Sequence, residues 1–174
     1  MLDLKESDGA IIVTCFASHI CRLKSVIEFA HLIKRKVVFF GRSLSKYSEA
    51  SRNVNILDFS RQVEILGYAE DIKRKLKQIE KEGSRNKYVI VCTGGQGEPR
   101  SVLSKMINSI LPFKFERDDA VIFSNRTIPI EPNLTNRAHI ERKLHDFGVH
   151  IFKDLHASGH GSREDLRELI KLVN

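Results

Sequence analysis

Two histidines four residues apart, His156 and His160, flank Ser158 near the C-terminal end of this sequence. An imidazole can hold or move a proton near neutral pH, and a hydroxyl can contact an oxyanion. On a helix, two histidines at this spacing could also hold a metal. Ser158, Gly159 and the following Gly161 point to a loop instead, and two histidines leave a metal short of ligands. The segment therefore suits phosphate contact or proton transfer. His19, His31, His139, His145 and His150 fall on predicted helices or inside a predicted strand and are read as structural. Cys15, Cys21 and Cys92 are odd in number and form no CxxC, so a cysteine zinc site is not expected. Cys15 and Cys92 close apolar runs, which predicts buried, reduced thiols in a cytoplasmic protein.

The second cluster is glycine-rich: Thr93-Gly94-Gly95-Gln96-Gly97-Glu98-Pro99. It is neither GxxxxGK[ST] nor GxGxxG, and Ser124 stands where a dinucleotide-binding chain would carry an acid at the end of the next strand. By mechanism it reads as a turn that contacts phosphate or backbone. Shorter turns of similar chemistry are Phe16-Ala17-Ser18, Gly41-Arg42-Ser43 and Ser124-Asn125-Arg126-Thr127. Arg22, Arg42, Arg100 and Arg126 lie in or near these turns and add positive charge. Glycine and serine in any one of them can be explained by a tight turn alone. Gln96, Arg126 and two histidines are not needed for tight turns.

These residues require a scaffold that brings distant turns together. Short apolar runs at 10–15, 36–40, 88–92, 120–124 and 149–152 are rich in β-branched and aromatic residues and are predicted as strands. They are continuously apolar, as expected for parallel strands covered on both faces. Helical spacing at 20–34, 69–82, 99–111, 135–147 and 162–173 separates them. Pro99 is placed in the first turn of its helix and Ser162 at an N-cap. The stretch 42–66 is predicted to hold a short helix at 44–51 and then an irregular excursion. The alternation predicts an α/β domain: a mainly parallel, five- or six-stranded sheet with helices on both faces. In such sheets ligands bind at the carboxyl ends of the strands, which is where the turns above fall.

The chain has 174 residues, 41% of them hydrophobic, which suits one globular domain and excludes disorder along its whole length. Residues 1–8 read as a tail or lead-in segment and 9–174 as the domain. No apolar run approaches the roughly 20 residues of a membrane span, and the polar N-terminus is not a secretory signal. Lys and Arg number 29 against 22 Asp and Glu, a net charge of +7, which suits a polyanionic partner or a lysine-rich proteome. The last predicted helix carries no C-cap signal, which suggests a longer native polypeptide.

Phe16-Ala17-Ser18 with Arg22, Gly41-Arg42-Ser43, the Thr93–Pro99 run and the run His156-Ala157-Ser158-Gly159-His160-Gly161 together resemble the β-CASP region of bacterial ribonuclease J, a family of metallo-β-lactamase-fold nucleases. The resemblance runs in order from about Gly9 to the C-terminus. It implies a Rossmann-like β-CASP domain that clamps RNA in a metal-dependent endo- and 5′-exoribonuclease. It also implies phosphate contact by His156, Ser158, Gly159 and His160, with His160 as the β-CASP histidine of the catalytic set. Phe16, Ser18, Arg22, Arg42, Ser43, Gly94, Gly95, Gln96, Gly97, Glu98, Ser124 and Arg126 would line the RNA track. The family's HxHxDH metal motif and its later Pro-x-His-Gly-Glu histidine are absent from this sequence. The segment 128–133 also departs from the glycine-bearing turn expected there. The chain thus resembles an isolated domain, excised or encoded as a split fragment. No metal is expected in it, and two divalent metals, zinc, are expected in a separate metallo-β-lactamase partner domain. RNA is the expected partner, no membrane is expected, and the parent enzyme is expected to form homo-oligomers. A Rossmann-type nucleotide or cofactor-binding module and a purely structural domain are the alternatives.

Overall fold

The computed structural model describes Leu4, residues 7–153 and residues 163–173. Six strands form one sheet: β1 (Ile11–Thr14), β2 (Lys36–Phe40), β3 (Val63–Leu66), β4 (Tyr88–Cys92), β5 (Ala120–Phe123) and β6 (His150–Phe152). Their order is β3-β2-β4-β1-β5-β6, and every pairing is parallel. Helices α1 (Ile20–Leu32), α2 (Arg42–Asn53), α3 (Ala69–Lys81), α4 (Val102–Ile107) and α5 (Asn133–Asp146) connect them, and α6 (Arg163–Val173) follows β6.

Central strands β1, β4 and β5 are buried at every position, so both faces of the sheet are covered. Side chains alternate between the faces along each strand. Ile11, Val13, Val37, Phe39, Val89 and Val91 pack with Leu23, Val26 and Ile27 of α1 and Leu44 of α2. Ile12, Val38, Phe40, Ile90, Val121 and Phe123 pack on the other face with Ile72, Leu76 and Ile79 of α3, with α4, and with Ile140 and Leu144 of α5. The expected α/β architecture with a parallel sheet and helices on both faces is therefore what the chain adopts.

Two local expectations are corrected. The stretch predicted to be irregular contains β3, and α2 runs from Arg42 to Asn53, beyond the predicted 44–51. The strand was hidden because it lies at the sheet edge with one neighbour, so Glu64 sits exposed within it and breaks the apolar run. Pro99 does not open α4. Ser101 caps that helix and accepts the backbone N–H of Ser104 at 3.2 Å, which places Pro99 two residues ahead of the cap. The predicted cap Ser162 lies outside the described residues.

The amino edge of the sheet is tied by charge. Arg35 donates to the carbonyls of Gly9, Ser7 and Leu4, which pins the segment leading into β1. The Asp119 carboxylate is fully buried and accepts the backbone N–H of Ala10 at 2.7 Å and of Glu116 at 2.8 Å. Arg85 reaches it at 3.1 Å and also pairs with Glu80 and Glu116. Burial raises the Asp119 pKa above its ordinary value, against the opposing pull of those two amides and of Arg85. Removing Arg85 leaves that buried carboxylate without its counter-charge. Arg85→Ala should lower unfolding free energy by about 3–5 kcal/mol at neutral pH. Because the folded-state pKa lies above the unfolded one, the folded variant takes up a proton first as pH falls. The loss should therefore shrink toward the ordinary carboxylate range. Urea unfolding at neutral and acidic pH measures this, and a loss that does not change with pH would contradict it.

Candidate nucleic-acid interface

The parallel register decides where the chemistry-bearing turns emerge. Phe40 pairs with Leu66 and Cys92, while Thr14 pairs with Cys92 and Phe123. Five strands thus end level, and the turns after them leave one edge of the sheet. Strand β6 is parallel as well, with Phe152 opposite Ile122. His156, Ser158, Gly159 and His160 lie outside the described residues.

At the middle of this edge, the turns after β1, β4 and β5 are locked to one another. Arg22 of α1 donates to the Ser124 hydroxyl at 2.9 Å, joining two of the sequence-predicted residues across 102 positions. Gln96 is buried and both ends of its amide are engaged: Nε2 donates to the Arg126 carbonyl at 2.9 Å, and Oε1 accepts the N–H of Ile128 at 2.8 Å. Gln96 therefore holds the β5 turn against the β4 turn. Its own backbone N–H is donated to the Glu98 carboxylate at 3.1 Å.

The glycines of the β4 turn answer to protein neighbours. A Cβ on Gly95 would stand 2.2 Å from Asn125 Oδ1, and one on Gly97 would stand 2.5–2.7 Å from the α5 backbone at Asn136 and Arg137. Gly94 has φ +131° and is pressed against Leu103 and Ser101. Gly94, Gly95 and Gly97 are all buried. Their side-chain-free backbone is accounted for by packing that brings this turn onto β5 and α5. Phe16, Ser18, Arg42, Ser43, Glu98 and Arg126 of the predicted set are exposed at the same edge, and Arg22 is partly exposed. Among the described residues, Arg42, Arg100 and Arg126 make no ion pair or hydrogen bond through their side chains, so their charge is available along the rim.

Arg137 escaped the sequence reading, and so did the burial of Asn125. Arg137 of α5 is buried, with its guanidinium 3.3 Å from the centre of the Phe123 ring and its Nε 2.8 Å from Glu141. It donates to the Gly95 carbonyl, so α5 carries the β4 turn from beneath. Its spacing from Ile140 and Leu144 on the buried face of α5 is the signal that could have revealed it. Asn125 directly follows Ser124, is buried, and has neither end of its amide hydrogen-bonded among the described residues. A buried unbonded amide costs about 1–3 kcal/mol, so this one is a polar group held at the rim at the expense of stability. It followed the apolar run of β5 in the sequence, but nothing there marked it as buried.

Two of the three thiols are too buried to act as nucleophiles. Burial pushes the Cys15 thiol up to about 12 against the lowering effect of Arg22, and burial also pushes Cys92 up. Cys21 is exposed. Ellman's reagent at pH 8 should therefore titrate one thiol of the three in the folded chain and all three after denaturation. Rapid labelling of two or more in the folded state would contradict the burial. No group of three or more His, Cys, Asp or Glu among the described residues could hold a metal. These described residues do not fit a metal centre.

Comparison with known proteins now bears on this geometry. Residues 8–141 match the family model described as the ribonuclease J beta-CASP domain. The chain belongs to the ribonuclease J β-CASP family. It is 40% identical to the ribonuclease J of Methanocaldococcus jannaschii over 99% of its length, and 38% identical to that of Pyrococcus abyssi over 97%. Ribonuclease J of Thermus thermophilus is 34% identical over 97% of the chain. The chain spans 39%, 36% and 28% of these three proteins, well under half of each. The chain therefore matches one part of each of these ribonuclease J proteins. No helix among the described residues is long and apolar enough to cross a membrane.

In this ribonuclease J β-CASP domain Gln96 ties the β4 turn to the β5 turn, and Arg137 ties it to α5. Gly95→Ala should force the turn off Asn125 and lower stability by about 1–3 kcal/mol, read by thermal or urea unfolding. Unchanged stability would contradict the tight packing described here.

Proposed function

We propose that this domain clamps single-stranded RNA for a ribonuclease J-type, metal-dependent endo- and 5′-exoribonuclease of the cytoplasm. The observation that carries the reading is the level parallel register. It gathers the turns after β1, β2, β4 and β5 on one edge, with Arg42, Arg100 and Arg126 exposed there and unpaired among the described residues. Arginines aimed outward from a fixed rim recognise phosphate oxygens through charge-assisted hydrogen bonds. Phe16, exposed beside Ser18, offers an aromatic face on which a base can stack.

In this reading the rim orients the strand through Arg126, Arg42, Ser18 and the exposed end of the β4 turn at Glu98. The internal clamp of Gln96 and Arg137 keeps those groups in place without touching the substrate. His156, Ser158 and His160 contact the scissile phosphate from the segment that follows β6. A metallo-β-lactamase domain of the parent enzyme would hold two divalent metals, zinc, whose chemistry would be to activate water, and the parent would assemble as a homo-oligomer. The domain by itself binds RNA weakly and does not turn it over, because the family's HxHxDH run is absent from this sequence.

Fluorescence anisotropy with a labelled single-stranded RNA tests the clamp. Affinity should fall with salt by a slope of roughly 0.7 per phosphate contact in a log–log plot. Arg126→Ala should weaken binding across RNA sequences and reduce that slope by about one contact. A slope unchanged by Arg126→Ala would overturn the role given to the rim. Cleavage of the RNA by the purified chain with added Mn²⁺ or Zn²⁺, abolished by His160→Ala, would overturn the claim that the domain alone is inactive.

A further inference from the structure

Beside the rim, toward the β3 edge, lies a recess of about 420 Å³ between the ends of β2, β3 and β4. Its volume falls in the range of small-molecule sites, roughly 300–1,000 Å³. Gly41, Gly67 and Thr93 form its floor, and three cations, Arg42, Arg100 and Lys105, stand on its walls with Tyr68. Among the described residues no carboxylate lines it. Among the described residues none of the three cations has an ion pair or a side-chain hydrogen bond. The nearby acids Glu70 and Asp71 are engaged by Lys73 and Arg74. Three like charges around one cavity repel one another, and an anion seated among them relieves that repulsion.

Two further features suit a phosphate. Helix α2, twelve residues long, opens at the recess without a side-chain cap and with no acid in its first turn. Gly41 reaches that position at φ +130°, held by its N–H donated to the Leu66 carbonyl at 3.0 Å. The free amides of the first turn add partial positive charge. Tyr68 is 73% exposed, so one face of its ring is open to a planar partner.

We propose that this recess binds a phosphorylated nucleotide unit, its phosphate against Arg42, Arg100 and Lys105 and its base on Tyr68. The unit comes either from a strand lying along the rim or from a free nucleotide. The proposal rests on the rim of the clamp reading, with which it shares Arg42 and Arg100, but it uses neither Arg126 nor Phe16, so the two can fail separately.

The test is an NMR titration of the ¹⁵N-labelled 174-residue chain with uridine 5′-monophosphate, uridine, inorganic phosphate and a short oligouridylate. The monophosphate should shift the amides of Gly41, Ser43, Gly67 and Tyr68. Arg100→Glu combined with Lys105→Glu should weaken that binding about tenfold or more. Tyr68→Ala should weaken it roughly fivefold or more. Lys34→Glu, on the opposite edge of the sheet, should leave it unchanged and controls for net charge. An oligouridylate that binds these amides at least as tightly as the monophosphate assigns the unit to a strand, and tighter monophosphate binding assigns it to a free nucleotide. The proposal is overturned if saturating monophosphate leaves these amides unmoved. It is also overturned if the folded charge-reversed variant binds equally well, or if uridine or inorganic phosphate alone matches the monophosphate. Recess shifts that persist while Arg126→Ala leaves RNA affinity intact would retire the clamp and keep the recess.

Discussion

The structure depends on one constraint: a sheet of six parallel strands, five of which have carboxyl ends that finish level. Parallel pairing sends every connection back across a face of the sheet, so each strand must be buried on both sides. The chain meets that demand with near-continuous apolar runs in β1, β4 and β5 and with two separate cores, one under α1 and α2 and the other under α3, α4 and α5. In return, the turns after β1, β2, β4 and β5, with their unusual residues, are delivered to a single rim. A slip of one residue between β1 and β4 would exchange the faces of Ile11, Ile12 and Val13 and lose both cores, so the level of the rim is enforced by burial.

On that rim, internal support and outward recognition are divided between neighbouring residues. Gln96 and Arg137 spend their polar groups on the Arg126 and Gly95 carbonyls, and the glycines of the β4 turn make room for Asn125 and α5. What remains exposed of the predicted set is a pair of arginines, Phe16, two serines and Glu98. A charged group anchored to a rigid frame loses little freedom on meeting a phosphate, which favours binding from a small number of contacts. The unbonded amide of Asn125 is the exception, a strained polar group kept where the turns meet.

Much of this was legible in the sequence because its physics is local. Five of the six strands announce themselves as β-branched runs, and the parallel sheet follows from their lack of alternation. Strand β3 did not, since an edge strand tolerates Glu64 and so loses the pattern that reveals its neighbours. The exposed arginines were readable from their position after the strands. The role of Gln96 was not. A glutamine in a glycine-rich turn suggests ligand contact, and only the fold shows its amide occupied by residues 126 and 128. Arg137 was hidden because an arginine on a helix is ordinarily a solvated charge, whereas here the Phe123 ring, Glu141 and a backbone carbonyl compensate its burial. The family resemblance rested on runs of residues at the strand ends, which is why it survived comparison with ribonuclease J relatives at up to 40% identity.

A competing surface exists on the far side of the sheet, where Lys34, Lys36 and Arg61 surround an open hollow at the amino ends of β2 and β3. Charge alone does not distinguish the two edges for a polyanion. Photo-crosslinking of the chain to a single-stranded RNA bearing 4-thiouridine, with the adducts mapped by mass spectrometry, separates them directly. The account predicts adducts at the carboxyl edge, on Phe16 and around residues 126–128. Adducts concentrated on peptides carrying Lys34, Lys36 and Arg61 would contradict it.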